Sequence, residues 1–133
     1  MTSEEIKAIK NLKTQQIFVY SLIFASGLSI YINNGQIDLI VNKENASVTE
    51  QELYNVGKTS TIIVWISSVY FLISNYTTYN QEKTKRNASF LLAAFLAFQA
   101  STIRLKTVLN TQINNNGVDV DLSSQDILGL KIV

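Results

Sequence analysis

Three stretches of the chain carry no charged residue: Thr14–Ile37, Thr59–Gln81 and Asn87–Ile103. Each holds an apolar block, and lysines or an arginine stand at its borders. A hydrocarbon layer of about 30 Å is crossed by about 20 mostly apolar helical residues, with a working range of roughly 17–25. Ile17–Ile32, Thr59–Tyr76 and Ala88–Leu105 lie near the short end of that range and lack the charged face of a helix at a water-exposed surface. The pattern predicts an all-α membrane protein with three transmembrane helices and small extramembrane segments.

Ahead of the first block, Thr2 and Glu5 have the spacing of a capping box, in which hydroxyl and carboxylate satisfy each other's free amides. Ile6, Ile9 and Leu12 follow at near-helical spacing, with Lys7, Lys10 and Lys13 between them. This predicts a short amphipathic N-terminal helix, lying at the interface or extending the first span into water. The lysines, the apolar run and Ala25-Ser26-Gly27 also have the outline of a secretory signal. The apolar run continues through Leu28–Ile32, which favours a span.

Asn33-Asn34-Gly35 reads as a turn. The β-branched run Ile37–Val41 reads as a short strand and Lys43–Ala46 as polar loop. Ser47 or Thr49, with Glu50 and Glu52 three residues on, starts a second helix that reaches about Tyr79. Gln81–Asn87 is short enough to make the second and third helices antiparallel neighbours. Beyond Leu109 the polar tail, residues 110–133, contains a turn-rich linker. A strand pattern at 118–122 and a last short helix from Ser123 to Leu130 follow. No second domain or internal repeat is expected in residues 1–133.

Composition narrows the chemistry. The net charge is +1, and cysteine, histidine and proline are absent. Nucleic-acid binding calls for a clustered basic surface, and the common zinc and haem ligands are missing. No cofactor, metal or small-molecule substrate is expected. The carboxylates have no paired base or nucleophile, so the chain is expected not to be an enzyme. Asp119–Ser123 has the outline of half a calcium loop, but Ser124 stands in place of its turn glycine and Leu130 in place of its final glutamate. Sequons at Asn45, Asn75 and Asn87 are what chance supplies at this Asn, Ser and Thr content.

Small residues recur every four positions at Ser21, Ala25 and Ser29 and at Ala93, Ala97 and Ser101, a spacing that lets helix backbones approach in lipid. With Gln99 as polar glue, these are the candidate helix-packing residues. Tyr20, Tyr31, Tyr76, Tyr79, Arg104 and Lys106 are candidate interfacial anchors, the last two snorkelling to the headgroups. Trp65 is expected to pack between helices. Lys7, Lys10, Lys13, Lys83, Lys85 and Arg86 outnumber Lys43, Lys58, Arg104 and Lys106, which puts the N-terminus inside and the C-terminus outside.

The partners expected are the lipid bilayer and other membrane subunits or further copies of the chain. The function expected is that of a non-catalytic structural or assembly subunit of a larger membrane complex or a membrane-containing virus particle. Two alternatives stand beside it. A holin-like self-associating pore former fits the small-residue faces, although the tail lacks a concentrated basic cluster. A small channel or carrier subunit lacks a filter sequence or an intramembrane acid pair.

Overall fold

The computed structural model describes residues 1–111, 113–114 and 117–118. Among the described residues the chain forms three α-helices: α1 (Ser3–Asn42), α2 (Glu50–Gln81) and α3 (Lys85–Asn110). At about 1.5 Å per residue they are roughly 60, 48 and 39 Å long. All three are long and apolar enough to cross a membrane. Beyond α3, Ile113–Asn114 pairs antiparallel with Gly117–Val118, Ile113 opposite Val118.

Hydroxyl caps start each helix. The side chains of Thr2, Thr49 and Thr84 accept from the amides of Glu5, Glu52 and Asn87 at 3.1, 3.2 and 3.1 Å. Thr2 is the predicted cap, and Thr49 is one of the two sites, with Ser47, expected to start α2. Thr84 has no acid three residues on to mark it in the sequence, and its turn closes instead through Asn87 Nδ2, which donates to the Glu82 carbonyl at 2.7 Å.

Two expectations for the first helix are corrected. Asn33-Asn34-Gly35 is not a turn and Ile37–Val41 is not a strand: α1 runs through both. For the N-terminal segment the second of the two expected arrangements is the one found: it is the first three turns of α1 and extends the first span. Helix propensities of these residues cost at most about 1 kcal/mol each, which a helix packed along its length against α2 can absorb. Of the polar loop, Lys43–Asn45 forms one 3-10 turn. Val118 of the predicted strand 118–122 lies in the short pairing above. Residues 119–122, the Ser123–Leu130 helix and the calcium-like segment from Asp119 lie outside the described residues.

The helices form a row with α2 in the middle, packed against both α1 and α3. Both pairs are antiparallel. Along the first, Phe18 stacks on Tyr70 with ring centroids 4.0 Å apart, Ser60 donates to the Ala25 carbonyl at 3.2 Å, and Gly35 faces Leu53. Along the second, Trp65 Nε1 donates to Thr102 Oγ1 at 3.0 Å and Tyr54 donates to the Val108 carbonyl at 3.2 Å.

The interior is as much hydroxyl as hydrocarbon. Ser29, Ser60, Thr61, Ser67, Ser68 and Ser101 are buried beside Ala25, Ile32, Leu53, Tyr54 and Val108. Meanwhile Ile23, Phe24, Ile30, Ile73, Leu92 and Leu96 are exposed. Only 11–28% of each apolar span window is buried within the chain. A fold stabilised in water has the opposite distribution, because burial of apolar surface drives it. In lipid, close contact of small residues replaces that drive. Most hydroxyls satisfy themselves on their own helix, as Ser29, Thr61, Ser67 and Ser101 do on the carbonyl four residues back. Such back-bonding lets a polar group sit in an apolar medium at little cost.

Candidate functional site

The features available for function are the packing faces within the row, the outer faces of α1 and α3, and the two connections. On α1, Ala25 and Ser29 are buried against α2, and Ser21 is partly covered. Ile32 and Gly35 continue that face. On α3, only Ser101 of the expected stripe turns inward. Ala93, Ala97 and Gln99 are exposed, and the inward face is instead Leu91, Ala94, Phe98, Ser101, Leu105 and Val108. Small residues alone do not reveal which face is turned inward. Phe98 lies at α2, its ring centroid 6.2 Å from that of Trp65, but Phe90 and Phe95 on the same helix are exposed, so aromatic residues do not mark the inner face either.

The expected anchors divide by position. Tyr31 and Tyr76 are exposed near span ends, and Tyr79 is partly covered. Tyr20 is exposed too, but the contacts of Phe18 with Tyr70 and Ala25 with Ser60 bring it level with Ser67 and Ser68, midway along the second span. Lys106 is exposed. Arg104 is half-buried, and its Nε is shielded from solvent without a hydrogen-bond partner.

The α1–α2 connection is held by one carboxylate that sequence reasoning did not single out. Asp38 accepts from the amide and the hydroxyl of Ser47 at 2.7 and 2.9 Å and from the side-chain amide of Asn42. Between them Lys43 takes a φ of +40°, a conformation that ordinary residues adopt only when the surroundings impose it. Hydrogen bonds from Asn42 and then Ser47 hold the Asp38 carboxyl below its ordinary value. A depressed carboxylate stabilises the fold above its unfolded pKa of about 3.9, and that contribution vanishes as pH falls through the lower, folded value. The connection is therefore expected to loosen below about pH 4. Protection of the Ser47 amide, relative to its intrinsic exchange rate at each pH, should fall there in the wild type, whereas Asp38→Ala should show low protection already at neutral pH. A protected Ser47 amide in Asp38→Ala would refute the clamp.

This connection lies at the level of Asp38, Lys43, Glu44, Glu50 and Glu52, a density of charge that belongs in water or headgroups. Yet Ile37, Ile40 and Val41, three and four residues apart on one side of α1, are 57%, 73% and 70% exposed there. The Gln81–Asn87 segment at the other end is basic, with Lys83, Lys85 and Arg86 against Glu82, and Arg86 lies over the Phe90 ring at 5.6 Å. Among the described residues no group of three or more acidic, histidine or cysteine side chains is placed to hold a metal ion.

Comparison with protein-family models, with curated proteins and with solved structures returned no match.

Proposed function

We propose that this multi-pass membrane protein is a non-catalytic assembly subunit of a larger membrane complex or of a membrane-containing virus particle. The observation that carries the reading is the exposed Ile37–Ile40–Val41 face. It lies past Ile32, the end of the apolar block read from the sequence, and level with the charges of the α1–α2 connection; apolar patches in such polar surroundings mark contact sites for other proteins. Purification in mild detergent is expected to retain a stoichiometric partner. Ile37→Ser with Ile40→Ser should release that partner while leaving the chain inserted in the membrane. Retention of the same partner by the double variant would overturn the assignment of this face.

The proposed topology keeps the N-terminus and the Gln81–Lys85 connection inside, following the six basic residues at those ends. With no native cysteine, single thiols report it directly. Ser3→Cys and Thr84→Cys should be shielded from an impermeant thiol reagent in intact cells, and Asn45→Cys and Asn115→Cys should be labelled. The reverse pattern inverts the orientation, and labelling of all four removes the three spans.

A holin-like pore former is the second reading, favoured by the outward position of Ala93, Ala97 and Gln99 on α3, where they are free to meet another copy. Induction of the chain alone separates the two. An assembly subunit leaves the membrane potential intact, whereas a pore former collapses it abruptly, and Ala97→Leu then restores it by holding the α3 faces apart.

A further inference from the structure

Between α2 and α3, at the end nearest their connection, lies an open groove of about 630 Å³. Leu72, Tyr76 and Tyr79 form one wall; Leu91, Leu92 and Phe95 form the other, and Ala88 leaves the space at its upper end. Lys85 precedes Ala88, Leu92 and Phe95 by three, seven and ten residues and so continues their helical face toward the connection. The connection adds Lys83, against the single acid Glu82, while Arg86 turns to the Phe90 ring outside the groove. We infer that this groove binds an anionic phospholipid, with an acyl chain along the apolar walls and the phosphate at Lys83 and Lys85.

The chemistry of the two parts selects the ligand. From Ala88 to Phe95 the groove runs about 10 Å along α3, enough for the upper half of an acyl chain. Tyr76 and Tyr79 line the groove near the connection, where tyrosines suit the boundary between acyl chains and headgroups. A zwitterionic headgroup brings no net charge to the basic connection. An anionic one neutralises it, and basic clusters beside helix grooves hold such lipids. The site is open to the side, as a lipid entering from the bilayer requires.

The inference rests on the membrane reading, and the experiment separates the two. Trp65 is the single tryptophan, so a Trp65→Phe background takes reporters at Leu92→Trp in the groove and at Ile23→Trp on the far, exposed side of α1. Each variant is reconstituted in mixed phosphatidylglycerol–phosphatidylcholine bilayers in which one lipid at a time carries brominated chains, at equal mole fraction. At Leu92→Trp, quenching by brominated phosphatidylglycerol should exceed that by phosphatidylcholine at least about two-fold, a modest gain for two basic residues. Ile23→Trp should show no preference. Neutralising Lys83 and Lys85 to glutamine should abolish the excess, as should Ala88→Phe, which fills the groove. Equal quenching at Leu92→Trp overturns the proposal. So does quenching at Ile23→Trp alone, which means that protein occupies the groove. No quenching at either reporter overturns the membrane reading itself.

Discussion

Replacing Ser60 by leucine is expected to destabilise the α1–α2 pair more than any change on the exposed faces, by about 2–4 kcal/mol. Ser60 is fully buried, and its hydroxyl reaches across to the Ala25 carbonyl at 3.2 Å. Ala25 is itself fully buried, so the two helices meet there through a serine and an alanine. Three added carbons have no space to enter. Overpacking of this kind costs about 1–3 kcal/mol, and the interhelical hydrogen bond lost with it is worth roughly 0.6 kcal/mol in a bilayer. Ser60→Ala keeps the close approach and loses only the bond, so its effect should stay below about 1.5 kcal/mol. Unfolding in mixed detergent micelles, followed by the Trp65 emission, measures both. A leucine variant as stable as the wild type would mean that α1 and α2 do not pack at this register.

The second large effect is expected at Gly35. A Cβ placed there would lie 2.5 Å from Leu53 Cδ2, 3.1 Å from Cδ1 and 3.3 Å from Cγ. Leu53 is only 5% exposed, which limits where its side chain can move. Gly35→Val is expected to cost about 2–3 kcal/mol through this overlap. Gly27, by contrast, has nothing within 4 Å of the corresponding position. Gly27→Ala should therefore be stabilising by about 0.5–1 kcal/mol, the ordinary gain for removing a glycine from a helix interior. Pairing Gly35→Val with Leu53→Ala should recover part of the loss, because the two changes act on one contact. Strict additivity of the pair would show that the Gly35 effect arises elsewhere.

The contrast between these glycines shows where the sequence is legible. Gly27 and Gly35 lie eight residues apart in α1; the two asparagines before Gly35 suggest a turn, and nothing local shows that only Gly35 is pressed against a neighbouring helix. What separates them is Leu53, a residue eighteen positions beyond Gly35 on another helix. The same holds for the small-residue stripes. Ser21, Ala25 and Ser29 and Ala93, Ala97 and Ser101 have identical spacing, yet Ala25 and Ser29 are buried while Ala93 and Ala97 are exposed. Asp38 was silent for a related reason: its partner Ser47 lies nine residues away, across a chain reversal at Lys43.

The sequence by itself determined the three apolar spans, the Thr2 cap, a start of α2 at Ser47 or Thr49 and the basic connection between α2 and α3. These follow from composition along a single segment, since a helix satisfies its own backbone and an uncharged run of about 20 residues is recognisable wherever it packs. Only the tertiary structure decided that α1 continues through Asn33–Val41, that Ser60 rather than Ala97 lies at a helix contact, and that Leu92 borders a groove. Each depends on which helix face meets a neighbour. Where lipid and protein interior are equally apolar, hydrophobicity does not encode that choice, and shape at the contact makes it.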